Sequence, residues 1–352
     1  NAIDALGQFA QTWRDLPTLG FTHFQPAQPT TVGKRAALWA MDLNLALEEV
    51  EQRRQALPFR GAKGTTGTQA SYLALFGGDT PGAHEKVEDL DRLVCEKMGW
   101  PADRRLPITG QTYPRLIDGL VASSLAAAAA ACSKFATDLR LLANRKELEE
   151  PFESGQVGSS AMPYKRNPMR SERICGLSRF VIGLTQVPFV TAAEQWLERT
   201  LDDSATRRLS VPEPFLALDG ALDLLIEVAR GLVVYEKTIA ANLRRELPFM
   251  ATENLLMAAV QGGADRQEAH EQIRVHAQAA AERVKQEGAE NDLLERLASE
   301  PMFQGLDLSA QLDPARFVGR APQQVDHFLQ EVVEPVRQRY RASLGASVEV
   351  KL

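Results

Sequence analysis

The run SSLAAAAAACSKFA, residues Ser123–Ala136, carries six consecutive alanines inside a proline-free stretch from Leu116 to Glu149. Alanine is the strongest helix-forming residue, so the stretch predicts one long helix. Its side chains have little bulk, which lets neighbouring helices approach closely. We therefore expect this helix in the deep core of a helical bundle or at a subunit interface.

Two further long runs carry helical periodicity, Thr31–Leu57 and Pro212–Leu243. A run of ~27 residues forms a rod of ~40 Å, and such rods pack side by side because each apolar stripe must be covered. Strand-like alternation stands out only in SVEVKL, Ser347–Leu352. The sequence therefore predicts an all-α fold, a bundle of long helices.

The chain changes character around ELPFMA, Glu246–Ala251, where shorter helices with intervening loops begin. We predict two domains on this basis. Residues 1–240 form the central long-helix bundle, and residues 241–352 form a smaller C-terminal helical domain. The chain opens inside a helical pattern, NAIDALGQFAQTWRDL, so we expect that a preceding portion is missing.

The composition argues against several classes of function. The net charge is −6 over 352 residues, with 44% hydrophobic and 24% charged residues, which leaves no electrostatic footprint for nucleic acid or a membrane. The most apolar stretch, Gly119–Cys132, is too short to span a bilayer, and we read no targeting segment. Cys95, Cys132 and Cys175 lie far apart without a CxxC or Cys/His pairing, which argues against a zinc site and a disulfide framework. A reducing, cytosolic setting is the default.

Two motifs match known phosphate and metal patterns only in part. RGAKGTTGT, Arg60–Thr68, is glycine-rich, but its lysine precedes the second glycine, so the pattern GxxxxGK[ST] is absent. A helix-connecting loop is the better interpretation. His270 and Glu271 begin an HE pair, but position 274 is Arg, so there is no HExxH zinc helix.

His23 lies in GFTHFQPAQPTT, just ahead of a long helix. It is flanked by Thr22, Gln25 and Gln28, in a turn that prolines restrict. A histidine in such a polar turn at the end of a bundle is suited to proton transfer near neutral pH. On this motif alone, a structural histidine is the stronger interpretation.

GSSAMPYKRNP, Gly158–Pro168, combines two serines with cationic side chains, and a bland basic loop is one interpretation. It is not a GxSxG nucleophile elbow, because Met162 stands where the last glycine should be. A serine near Lys165 and loop N–H groups can still act as a base or nucleophile, because such neighbours favour its ionised form. Lys165, Asn167 and Arg173 would then donate to an anionic substrate.

EQWLERTLDDSATRR, Glu194–Arg208, places Arg199, Ser204, Arg207 and Arg208 close together. Arginines and a hydroxyl form a natural phosphate pocket, because forked donors match phosphate oxygens. The alternative is an ion-paired surface, in which nearby carboxylates satisfy the same arginines. Those carboxylates are Glu194, Glu198, Asp202 and Asp203. These residues alone leave both interpretations open.

Taken together, the motifs resemble one family. GSSAMPYKRNP resembles the signature loop GSSxMPxKxNP of the fumarase/aspartase superfamily, and THFQPAQ is similar to its histidine motif. Within that superfamily, six segments resemble the adenylosuccinate lyase family, in the expected order from about Phe21 to Pro335. They are GFTHFQPAQ, FRGAKGTTGTQAS, ITGQTY, MPYKRNPMRSER, ERTLDDSATRR and ELPFMATEN.

The resemblance implies a role for each site residue. The catalytic residues would be Ser159 as the base, His23 as the acid, Glu172, which orients and charges His23, and Lys165. Lys165 and Asn167 would hold the succinyl carboxylates. The remaining substrate-binding residues would be Thr22, Gln111 beside the carboxylates, Arg173 for the nucleotide, and Arg199, Ser204 and Arg208 for the 5′-phosphate.

The resemblance also implies the reaction and the partners. The reaction would be anti β-elimination of fumarate in purine biosynthesis, from adenylosuccinate to give AMP and from succinylaminoimidazole carboxamide ribotide to give the carboxamide ribotide. The protein would be a cytoplasmic homotetramer whose active sites are each built from three subunits. No cofactor or metal is implied, and no nucleic acid or membrane partner. The family's N-terminal domain, which supplies a second histidine, has no counterpart in this chain.

Three rival functions are disfavoured. Another superfamily lyase, such as argininosuccinate lyase or fumarase, has a substrate without a phosphate to meet Arg199 and Arg208. A non-catalytic helical scaffold would not need the intact set of His23, Ser159, Lys165 and Glu172. A serine hydrolase lacks its nucleophile elbow and a placed triad.

Overall fold

The computed structural model describes residues 1–152, 162 and 164–345. Ser159 and the C-terminal SVEVKL lie outside the described residues. The helices are α1 Ala2–Thr12, α2 Val32–Ala56, α3 Ala70–Leu75, α4 Ala83–Lys97, α5 Leu116–Asn144, α6 Met169–Leu184, α7 Gln186–Ala193, α8 Asp203–Ser210, α9 Pro212–Gly231, α10 Glu236–Met250, α11 Thr252–Gln261, α12 Arg266–Glu287, α13 Leu293–Ala298, α14 Ala321–Phe328 and α15 Glu334–Arg339. The strands are β1 Pro17–Thr22, β2 Gln25–Thr31, β3 Leu148–Glu149 and β4 Val233–Val234.

The alanine-rich helix α5 lies in the core of the bundle, where it packs against α6, α2, α7 and α9. Ala129, Cys132 and Ala136 are buried on its inner face. Phe135 fills the space beside them and meets Trp39 of α2 edge-on, with ring centroids 5.2 Å apart. The expected all-α fold is confirmed, and small side chains are what allow the helices to pack this closely.

The third predicted helical run is interrupted in the structure, so that prediction was wrong in part. Helix α9 ends at Gly231, where an added Cβ would lie 2.7 Å from Cβ of Pro151. The next residues form β4, which pairs antiparallel with β3, and α10 begins only at Glu236. The break arises from contact with a distant segment, which helical periodicity does not report.

The segment around His23 is a β-hairpin rather than an irregular turn. Strands β1 and β2 pair antiparallel from Pro17↔Thr31 to Thr22↔Gln25. Pro26 and Pro29 lie in β2, where sequence patterns argue against a strand. A two-stranded ribbon accepts them because each strand has an edge that needs no N–H donor.

A second apolar core forms in the C-terminal part of the chain. It contains Leu255, Ile273, Leu293 and Phe303. Helix α14 then returns to the first apolar core, which is that of the long-helix bundle, and Val325 is fully buried there. The domain boundary at residues 240/241 stays a prediction.

Two helical segments, Leu116–Asn144 and Met169–Ala193, have the length and apolar character that a membrane-spanning helix needs. Gly119–Cys132, the apolar stretch that is too short to span a bilayer by itself, is only part of the first. A core helix of a bundle has the same properties, and Leu139 and Ile174 of these segments are fully buried against other helices.

Candidate active site

His23 lies at the exposed tip of the β1–β2 hairpin. His23 and Phe24 have backbone φ angles of 53° and 58°, in the left-handed region. A two-residue hairpin loop with both residues in this region usually contains Asn and Gly, so other residues there are strained by roughly 1 kcal/mol or more each. Such strain is typical of functional positions. Among the described residues, the His23 side chain has no hydrogen-bond or ion-pair partner.

The base of the hairpin is held firmly by buried polar contacts. The Arg35 guanidinium donates to the carbonyl oxygen of Leu19 at 2.5 Å, and Thr31 Oγ1 accepts from the backbone N–H of Lys34 at the start of α2. The guanidinium of Arg145 lies over the Phe21 ring, with Cζ of Arg145 4.9 Å from the ring centroid. Because the hairpin is fixed at one end and its tip is exposed, it can present His23 to a partner surface.

The C-terminal end of the signature loop is anchored where α6 begins. The carboxylate of Glu150, which is buried, accepts from the backbone N–H groups of Arg170 and Ser171 and from the Ser171 hydroxyl, each at 3.0 Å. Arg170 is 1% exposed, and its Nε pairs with Glu227 at 3.0 Å. A negative charge at a helix N-terminus is favourable, and buried charges persist only when they are paired.

The predicted loop residues are placed around this anchor. Lys165 is exposed, and its backbone N–H donates to the carbonyl of Met162 at 2.9 Å. The Asn167 carbonyl accepts from the N–H of Met169 at 2.8 Å. Glu172 and Arg173 are exposed in the first turn of α6. The side chains that can donate to an anion, those of Lys165, Asn167 and Arg173, therefore lie within four residues of Met169, where α6 begins.

The predicted phosphate residues lie at and just before α8. Arg208 donates to Ser204 Oγ at 2.6 Å and to the Ser204 carbonyl, so these two residues are in contact. Arg199 pairs with Asp203, the first residue of α8, at 3.0 Å. The structure thus places Arg199 just before α8 and Ser204 in its first turn, and Arg208 reaches back to Ser204 from the last turn.

Arg207 faces a different direction from the other α8 residues. Its Nε pairs with Asp118 of α5 at 2.7 Å, and its guanidinium also donates to the Tyr113 hydroxyl. Burial and the hydrogen bond to Asp118 raise the pKa of Tyr113, so this hydroxyl stays protonated. The ion-paired interpretation therefore applies to Arg207, which ties α8 to α5, and in part to Arg199, which pairs with Asp203.

Three loop segments lie against one another beside α8: the one at Gly67, the one at Thr109–Gln111 and the one at Glu198. Two glycines allow this close approach. The backbone N–H of Gln111 donates to the carbonyl of Glu198 at 3.1 Å, and an added Cβ on Gly110 would lie 2.7 Å from the same oxygen. An added Cβ on Gly67, whose φ is 85°, would overlap the carbonyl of Thr109. Sequence reasoning missed both glycines. Their stacking carries Gln111 next to the segment of Arg199.

The glycine-rich loop is a helix-connecting loop, as predicted, between α2 and α3. Lys63, 4% exposed, points inward and pairs with Asp91 of α4 at 2.6 Å. Asp91 also accepts from the Ala62 backbone N–H at 2.6 Å and lies 3.3 Å from Arg105. This lysine is a structural anchor, which explains why it does not follow the phosphate-loop spacing.

His23 and Glu172, the predicted acid and its partner, share no hydrogen bond or ion pair within the described part of the single chain. Gln111 is half-buried, and Thr22 is exposed at the hairpin tip. Within residues 1–152, 162 and 164–345, no group of three or more His, Cys, Asp or Glu side chains is arranged to hold a metal ion.

Two family models match the sequence. One described as "Lyase" matches residues 1–183, and one described as "Adenylosuccinate lyase C-terminus" matches residues 248–328. Similar curated proteins include three adenylosuccinate lyases. That of Saccharomyces cerevisiae is 52% identical over 100% of this chain and 72% of its own length. That of Schizosaccharomyces pombe is 53% identical over 95% and 68%, and that of Schistosoma mansoni is 44% identical over 99% and 72%.

Solved structures share the fold. A 3-carboxy-cis,cis-muconate lactonizing enzyme from Pseudomonas putida superimposes with a TM-score of 0.77 at 26% identity, covering 95% of this chain and 70% of that one. A fumarate lyase from Mesorhizobium sp. BNC1 superimposes with a TM-score of 0.73 at 23% identity, covering 94% and 70%. Both confirm the all-α bundle of long helices.

Proposed function

The chain belongs to the adenylosuccinate lyase family, and we propose that it releases fumarate from adenylosuccinate, giving AMP, and from succinylaminoimidazole carboxamide ribotide, giving the carboxamide ribotide. The chain is a lyase of this family, with a small nucleotide as its substrate. The observation that carries the proposal is 52% identity to such an enzyme over the whole chain. The grouping of Arg199, Ser204 and Arg208 at α8 supports a phosphate-bearing substrate.

The elimination needs a base and an acid on opposite sides of the bond that breaks. The base removes a proton from the carbon beside a carboxylate, and the charge of the resulting carbanion spreads into that carboxylate. Lys165 and Asn167 would stabilise this charge, because donors count most where charge develops in the transition state. The roles of Ser159 as base and His23 as acid stay predictions that rest on the family motif.

We further propose that sites are completed between subunits of a homotetramer. His23 and Glu172 are both exposed, and among the described residues neither pairs with the other. In the proposed tetramer a second copy brings them together. The hairpin borders an open groove of about 590 Å³ that is lined in part by exposed apolar side chains, Phe24, Leu38 and Met41. Exposed apolar patches of this kind mark interaction surfaces.

Further apolar side chains lie exposed on α2, α5, α6 and α7 and in the loop before α8. They are Leu45, Leu141, Phe180, Ile182, Phe189, Val190, Trp196, Leu197 and Leu201. Their number favours burial in an assembly over exposure in a monomer. A cytoplasmic location is also proposed, supported by three free, buried cysteines.

The test is fumarate release by the purified full-length protein, followed as the loss of ultraviolet absorbance of adenylosuccinate. Ser159→Ala and His23→Ala should each abolish turnover while the protein keeps the oligomeric state of the wild type. A protein that leaves adenylosuccinate untouched but cleaves argininosuccinate would contradict the phosphate assignment.

A further inference from the structure

Asp203, the first residue of α8, is a buried carboxylate in contact with two arginines, Arg115 and Arg199, and 4.0 Å from a third, Arg207. It is 1% exposed. Its Oδ2 lies 2.6 Å from Nε of Arg115, which is itself 7% exposed. Its Oδ1 lies 3.0 Å from Nη1 of Arg199. One carboxylate therefore joins a deeply buried guanidinium at the start of α5 to a partly exposed one beside the proposed phosphate site.

Asp203 is held in its ionised form. Burial by itself raises the pKa of a carboxyl group, but the charges of Arg115 and Arg199 outweigh it, and the pKa of Asp203 lies below its ordinary value. A buried ion pair of this kind is costly to break, because removing one partner leaves the other charge unpaired. Arg115 thus fixes the carboxylate, and the carboxylate can fix Arg199.

The Arg199 guanidinium uses only one of its nitrogens in this contact. Nη1 donates to both oxygens of Asp203, at 3.0 and 3.3 Å, and the side chain has no other hydrogen bond to a described residue. A guanidinium is planar, so holding one nitrogen restricts the whole fork. The remaining edge, Nε and Nη2, keeps the geometry that meets two phosphate oxygens. Its side chain is 26% exposed, so this edge is accessible.

We propose that Asp203, anchored by Arg115, is a positioning residue that orients Arg199 toward the substrate phosphate and so sets the preference for phosphorylated over unphosphorylated substrate. The inference rests on the proposed function and deepens it. Asp203 does not touch the substrate, and it acts through Arg199.

The negative charge of Asp203 and its positioning of Arg199 have opposite effects on phosphate binding. The direction in which binding changes when Asp203 is replaced therefore tests the proposal. If its charge alone mattered, removing it would raise the positive potential and tighten phosphate binding. If it positions Arg199, removing it costs a charge-assisted contact, and binding weakens by roughly 10- to 100-fold. A role confined to holding α8 in place would lower activity on every substrate equally.

The experiment compares Asp203→Asn with wild type on adenylosuccinate and on its 5′-dephosphorylated counterpart. We expect KM for adenylosuccinate to rise roughly 10-fold or more, with kcat changed little and with kcat/KM for the dephosphorylated substrate unchanged. The matched control is Asp292→Asn, which removes a carboxylate that Arg283 and Arg296 hold in the C-terminal part of the chain, away from α8, and should leave the ratio of the two substrates unchanged.

A double-mutant cycle with Arg199→Ala tests whether Asp203 acts through Arg199. Adding Asp203→Asn to Arg199→Ala should raise KM for adenylosuccinate no further. Additive effects, a lowered KM, or equal losses on both substrates would overturn the proposal.

If the Asp203→Asn variant does not assemble, Arg115→Lys tests the same chain of contacts at Arg115, the residue that anchors Asp203. It keeps the charge but removes the guanidinium plane, so KM for adenylosuccinate should rise by roughly 3-fold or more. An unchanged KM would overturn the proposal. Wild-type protein that releases no fumarate from adenylosuccinate would refute the proposed function itself, whereas wild-type turnover with an unaffected Asp203→Asn refutes only this inference.

Discussion

Replacing Glu150 by Gln should loosen the start of α6 and lower both stability and turnover. The carboxylate accepts three hydrogen bonds with two oxygens: Oε1 takes the Arg170 N–H, and Oε2 takes the N–H and hydroxyl of Ser171. Glutamine keeps the shape but has one acceptor oxygen. Its amide nitrogen must therefore face an N–H donor, whichever way it turns.

The cost can be worked from these contacts. At least one charge-assisted bond is lost, worth roughly 1.5–3 kcal/mol, and the interaction of the charge with the helix N-terminus adds about 0.3–2 kcal/mol. We expect the free energy of unfolding of the first core to fall by about 2–5 kcal/mol. Because Glu172 and Arg173 follow in the same turn, kcat for fumarate release should fall more than KM rises.

The assay is urea denaturation followed by circular dichroism, together with steady-state kinetics. The control is Glu149→Gln at the neighbouring residue, which is partly exposed and accepts from the Tyr235 hydroxyl at 2.7 Å. That change should cost under about 1 kcal/mol. The reasoning would be refuted if Glu150→Gln unfolded within about 0.5 kcal/mol of wild type, or if the two variants lost the same stability.

Three further changes test other parts of the structure. Ala129→Leu overpacks the fully buried face of α5 and should cost about 1–3 kcal/mol by urea denaturation, whereas Arg140→Leu on the exposed face should cost under about 0.5 kcal/mol; equal effects would contradict the packing. Burial raises the pKa of Cys132 to about 12, so this thiol should resist a thiol reagent at pH 8 in the native protein and react once guanidinium chloride unfolds it; rapid native labelling, located by mass spectrometry, would contradict its burial. His23→Gly relieves a positive φ and should raise hairpin stability by up to about 1 kcal/mol while abolishing turnover; hydrogen exchange and kinetics measure both, and a destabilised hairpin would argue against the strain.

The long helices were predictable wherever local patterns decide structure. The run Thr31–Leu57 became α2, and the alanine-rich run became α5. Backbone hydrogen bonds in a helix join residues four apart, so a proline-free, periodic sequence carries most of the information. The prediction of one helix for the third run failed at Gly231, because the residues that follow form β4, which pairs with β3 far away in the chain.

The hairpin around His23 shows the same limit. Prolines and a polar composition predicted a turn, and the turn is present, but the strands on either side depend on pairing with each other and on anchors such as Arg35. Cross-strand partners are set by tertiary contacts, so strand propensity depends strongly on context.

The candidate site divides in the same way between residue types and their partners. The order of residues alone determined a helical bundle and a set of donors suited to carboxylates and phosphate, because helix periodicity and side-chain chemistry are local properties. Only the tertiary structure decided that Lys63 pairs with Asp91, that Arg207 pairs with Asp118 and that Asp203 contacts Arg115. Whether a charge is paired or available depends on distances through space, and these are fixed when the helices pack.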